Sequence, residues 1–174
     1  MKKPALALLV LSMPMIAIAA HLEEDYLVVD NGGLGEYWNF TRKMPYPSFP
    51  NSALRKHIEA CVAVGFAVES DGRPSNVGVL RVETSRPSDA DETEGMKSAI
   101  IDAISGWRFE PAEANAARRP LYTYTVISMA YSAPGTLAGV AKQHAEKVTR
   151  SCEIPDFVAT ALRGDLGPLA KVRR

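Results

Sequence analysis

The apolar positions from residue 61 to 68 alternate with a period of two. Val62, Val64, Phe66 and Val68 fall on one face and Cys61, Ala63, Gly65 and Ala67 on the other, which predicts a strand. Asp71-Gly72 follows as a hairpin-turn signal. The return strand spans residues 76–85, with Val77 and Val79 on one face. The period then changes. Met96, Ile100, Ile104 and Trp107 recur at i, i+4, i+8 and i+11, predicting a helix over 94–107. Residues 121–131 are dense in β-branched and aromatic side chains and predict a third strand. One of its faces carries Leu121, Thr123, Thr125 and Ile127; the other carries Tyr122, Tyr124, Val126 and Ser128.

Weaker signals flank this core. Pro45, Pro47 and Pro50 hold the chain extended and release it into a short helix with Ala53, Leu54, His57 and Ile58 at helical spacing. Ser88, three residues before Asp91, suggests a helix start, and the carboxylates of Asp89, Asp91 and Glu92 suit a first helical turn. Beyond Pro134-Gly135, Leu137, Val140, Ala141, His144 and Val148 line one side of an amphipathic helix. A further turn or two runs up to a stop at Gly164. Residues 21–44 form an arm with a strand-like stretch at 25–30, a turn at Asn31-Gly32-Gly33, and the aromatics Tyr37, Trp38 and Phe40.

Residues 1–20 read as a secretory signal peptide: Lys2 and Lys3, an apolar run, then the small-residue site Ala17-Ile18-Ala19. The alternative is a retained inner-membrane anchor, against which stand the short apolar run and Pro14. Export places the chain in the periplasm, an oxidising compartment, where Cys61 and Cys152 form a disulfide or else remain two buried thiols. The whole chain has 20 basic and 20 acidic residues. Without the two leader lysines the balance is 18 against 20, so no excess of positive charge points to nucleic acid. The basic tip Lys171-Val172-Arg173-Arg174 reads as a solvated terminus. The three histidines, His21, His57 and His144, stand far apart, and no nucleophile elbow, zinc-protease motif or phosphate loop is present. These observations point to a protein that is not an enzyme and needs no metal or cofactor.

The pieces have a family order. Phe49-Pro50 precedes the first helix. Glu59, Val62, Val64, Phe66, Val68, Asp71 and Gly72 follow, and Trp107, Arg108, Phe109 and Pro111 close the second helix. From Tyr46 to Tyr131 this resembles the C-terminal domain of the TonB family of energy transducers, in a short secreted variant. The resemblance implies an α+β fold in the order helix-strand-strand-helix-strand, with two helices on one face of a three-stranded antiparallel sheet. Its expected core is Val62, Val64, Phe66, Val68, Ile100, Ile104, Trp107 and Phe109, with both aromatics pinning the helix exit to the sheet. The expected division is a leader at 1–20, an arm at 21–44, the TonB-like domain at 45–132 and a helical C-terminal extension at 133–174.

The implied function is protein binding in TonB-dependent transport. An envelope protein or outer-membrane receptor peptide would add as a strand, with Tyr122, Tyr124, Val126 and Ser128 as contacts. A second copy of the chain is another candidate partner, and an inner-membrane motor complex becomes one only if the leader is retained. A structural envelope role is the other reading. Two departures bear on this. No proline-rich spacer separates leader from domain, which argues against reach across an envelope. The small residues Cys61, Ala63, Gly65 and Ala67 leave room on one sheet face, and the extension, carrying Cys152, is the candidate to lie there.

Overall fold

A computed structural model describes residues 26–41, 44–87, 89–164 and 166. The leader and the basic C-terminal tip lie outside the described residues. The three predicted strands are β3 (Ala60–Val68), β4 (Pro74–Thr84) and β6 (Leu121–Met129). The β3–β4 hairpin closes through Glu69 N–H to Arg73 O at 2.9 Å and Gly72 N–H to Glu69 O at 2.8 Å. β3 lies at the centre, antiparallel to β4 on one side and β6 on the other.

The expected strand count needs correction. The sheet has four strands in the order β1-β6-β3-β4, because β1 (Leu27–Val28) of the arm pairs parallel with the start of β6. A second, two-stranded ribbon joins β2 (Trp38–Phe40) to β5 (Phe109–Pro111). Both additions have one physical cause: unpaired strand backbone is satisfied by nearby extended chain, and the arm supplies it twice.

Each face of the sheet has its own cover. On one, α3 (Ala90–Ser105) buries Ile100 and Ile104 against Val62, Val64, Phe66 and Val68. Its N-cap is Asp89, whose carboxylate accepts the Glu92 amide at 2.8 Å; Ser88 is outside the described residues. The helix pair expected on this face is unequal, because α2 (Asn51–Arg55) is a single turn packed by Ala53 against Met96 at the sheet's end. It closes as a Schellman motif, with Ile58 N–H to Ala53 O at 3.0 Å and His57 N–H to Leu54 O at 3.1 Å. His57 takes the left-handed position, φ 51°, and its ring stacks on Tyr131.

The other face is covered by α4 (Ala138–Arg150) and α5 (Phe157–Arg163). Cys61, Ala63 and Ala67 are buried there together with Tyr122, Tyr124, Cys152 and Phe157. The small side chains of β3 let the extension approach, and the Cys61–Cys152 disulfide ties it down across 91 residues of sequence.

The aromatic exit of α3 joins several distant parts. The Trp107 indole N–H donates to Pro45 O at 3.2 Å, and its ring meets Phe66 edge-on, with centroids 5.9 Å apart. Phe109 stacks on Phe66 at 6.1 Å, and Phe40 of the arm caps both rings. Phe109 N–H donates to Gly72 O at 2.9 Å. A Cβ on Gly72 would stand 2.1 Å from Phe109 O, so the turn glycine serves the close approach of these two backbones as well as its own φ of 78°. Trp38, 1% exposed, completes the cluster and donates to Arg119 O at 3.3 Å.

Candidate functional site

The direction of each β6 backbone group follows from its pairing with β1. Val29 N–H donates to Tyr122 O at 3.0 Å, and Leu27 N–H to Pro120 O at 3.1 Å. Tyr122 therefore turns its backbone toward β1, away from β3. With a period of two, Tyr124, Val126 and Ser128 turn theirs the same way. β1 ends at Val28, and the chain departs at Asp30, whose carbonyl accepts the Thr123 hydroxyl at 3.1 Å. Beyond that point no strand among the described residues pairs with the outer edge of β6. The edge over 124–128 is uncharged.

The opposite edge differs. β4 carries Arg81 and Glu83 at exposed positions, and its pairing with β3 shifts register twice. Charges and bulges are devices that discourage edge pairing. The two edges thus differ: β4 carries charges and irregular pairing, and the second half of β6 carries neither among the described residues.

The side chains on β6 are placed less openly than their backbone. Tyr122 is 2% exposed and Tyr124 6%, both packed on the Phe157 ring at 5.7 and 4.5 Å. Burial pushes the Tyr122 phenol above its ordinary range, and its hydroxyl has no hydrogen-bond partner among the described residues. The Tyr124 hydroxyl accepts the Ile154 amide. Val126 and Ser128 are half-buried; the Ser128 hydroxyl meets Thr149 Oγ1 of α4 at 2.8 Å. The four residues thus share one face, beneath the extension, and Tyr122 and Tyr124 are covered from within the chain. What they leave outward at 124, 126 and 128 is main chain.

The extension is also held by a histidine–carboxylate contact. The His144 imidazole on α4 lies 2.6 Å from Glu59 Oε1, and the same oxygen accepts the Tyr131 amide at 2.9 Å. Burial alone would raise the Glu59 pKa. The hydrogen bonds from His144 and Tyr131, with the charges of His144 and Arg86, outweigh it and hold the carboxyl below its ordinary value. A carboxyl depressed in the folded state contributes stability that is complete above its unfolded pKa and is lost as pH falls through the folded one. Acid denaturation curves should therefore show stability falling below about pH 4–5, and Glu59→Gln should flatten that dependence. An unchanged pH profile in the variant would remove this contact from the account.

Among the described residues no group of three or more His, Cys, Asp or Glu could hold a metal, and no helix is long and apolar enough to cross a membrane. His57 and His144 both have structural partners, Tyr131 and Glu59.

Residues 45–131 match the family model of the Gram-negative bacterial TonB protein C-terminal. Among solved structures, the solution NMR structure of the Pseudomonas aeruginosa TonB C-terminal domain is 24% identical. It covers 55% of this chain and 88% of its own, with a TM-score of 0.42. The NMR structure of the Helicobacter pylori TonB C-terminal domain, residues 179–285, is 17% identical, covers 50% and 71%, and has a TM-score of 0.33. No curated protein matches the chain.

Proposed function

The chain belongs to the family of Gram-negative bacterial TonB protein C-terminal domains, and from that premise we propose that it is a periplasmic protein-binding module that takes an extended segment of an envelope protein as an added strand. The open, uncharged edge of β6 at Tyr124, Val126 and Ser128 carries this reading. Each of these residues offers an outward amide and carbonyl, and β1 already bonds the outward carbonyls of Pro120 and Tyr122 earlier on the same edge. Main-chain bonds of this kind supply affinity without fixing the partner's sequence. Five residues of edge correspond to roughly 17 Å of partner strand at about 3.3 Å per residue.

The reading is tested with Val126→Pro. The Val126 N–H points away from β3, so proline there removes an outward donor and leaves the β3 ladder intact, the situation in which edge strands tolerate proline. A photo-crosslinking side chain at the half-buried Thr125, on the sheet face away from the extension, introduced in a Gram-negative host, should capture an envelope protein. Val126→Pro should reduce that adduct at least tenfold while the melting temperature stays close to that of the parent. An adduct of equal yield in the proline variant would exclude strand addition at this edge.

A further inference from the structure

A cleft of about 680 Å³ opens where β1 leaves the edge of β6. Tyr124 lines it, between the 30–32 turn of the arm and the start of α5. Its walls are apolar at Phe157 and Val158. Asp30, Glu153 and Asp156 stand around it, and no lysine or arginine lines it. None of these three carboxylates has an ion-pair partner among the described residues; Asp30 Oδ1 accepts the Gly33 amide at 2.8 Å.

We infer that this cleft is the specificity subsite of the β6 edge and receives a lysine or arginine from the added strand. The inference rests on the strand-addition reading. Continuity is the first argument. Thr123 bonds the Asp30 carbonyl, Tyr124 lines the cleft, and the open backbone begins at Tyr124. A strand laid along 124–128 thus has one end beside the cleft. Charge complementarity is the second. A lysine or arginine side chain has an apolar stem and a cationic head, which suits apolar walls with carboxylates around them. Origin is the third. Asp30, Glu153, Asp156 and Phe157 all lie outside the family match at 45–131, so the arm and the extension add a selectivity that the family domain alone does not contain. The occupant is an extended peptide with alternating β-forming residues and a basic residue near one end.

The test is peptide-display selection from a random dodecapeptide library on the full chain, exported and oxidised. Selected peptides should alternate apolar and polar residues with lysine or arginine at one end. A synthetic selected peptide should bind at least tenfold more weakly to Glu153→Gln/Asp156→Asn, and equally so when its own basic residue becomes glutamine. Asp156 has φ 50°, a conformation asparagine also accepts, so the variant leaves the backbone unstrained. Affinity should fall with added salt. Peptides lost in Val126→Pro but indifferent to the double variant and to their own basic residue would overturn the subsite and leave strand addition standing. Peptides indifferent to Val126→Pro, or no binder at all, would overturn both. Self-association of the chain abolished by the double variant would assign the cleft to a second copy and overturn the inference.

Discussion

Trp107→Ala is expected to lower the unfolding free energy by about 3–5 kcal/mol, the usual loss for a buried large aromatic. The magnitude follows from what the ring touches. Trp107 is 7% exposed, packs edge-on against Phe66 and Phe40, and anchors the Pro45 carbonyl through its indole N–H. Truncation leaves a cavity between α3 and the sheet and strips a hydrogen bond from the segment entering α2. Relaxation is limited, because Phe109 is held in place by its amide bond to Gly72. Urea denaturation followed by far-UV circular dichroism gives the number. The control is Arg108→Ala, one residue on at an exposed position, which should stay within about 0.5 kcal/mol. Equal losses for the two would mean that the indole does not anchor the helical layer.

The second large effect concerns the disulfide. Cys152→Ala is expected to cost about 4–5 kcal/mol, the chain-entropy value for opening a loop of this length, and more if Cys61 is left as an unpaired buried thiol. The bond joins a fully buried residue of β3 to the end of α4, 91 residues apart, with Cα atoms at 5.9 Å. Without it the extension keeps Phe157 on Tyr122 and Tyr124 and the His144–Glu59 contact, but loses its covalent tether. Two measurements separate tethering from general damage. Denaturation midpoints should fall equally for Cys152→Ala and for reduced parent protein. Limited proteolysis should then cut first between Tyr131 and α4, releasing the extension while the sheet persists. Cleavage spread evenly through β3 and β6 would show that the disulfide supports the whole fold rather than one layer.

These two expectations draw on different kinds of information. The alternation of Val62, Val64, Phe66 and Val68, the helical spacing of Ile100 and Ile104, and the Asp71-Gly72 turn are local, and each was legible because a repeated period exposes which side chains share a face. The cysteine pair was legible by count, two cysteines in the whole chain. β1 is only two residues long in the structure and carries too little periodicity to name its partner. Trp38 could be placed in an aromatic cluster but not in the core, since its partners Arg119 and Pro111 are distant in sequence. Alternation groups Tyr122, Tyr124, Val126 and Ser128 of β6 on one face. Sequence could not say that Phe157 would cover two of them, because packing partners are not periodic.

The chain by itself therefore determined its strands and main helices, its central core and its family order, all consequences of backbone geometry repeating over a few residues. Tertiary structure alone decided which edge is left unpaired among the described residues. That depends on where β1 stops along β6, on how the extension seats over Ala63 and Ala67, and on which carboxylates of the arm and extension meet beside Tyr124. Edges and clefts are relations between segments far apart in sequence, set by competition for the same backbone groups and the same apolar area, and no local pattern records the outcome of that competition.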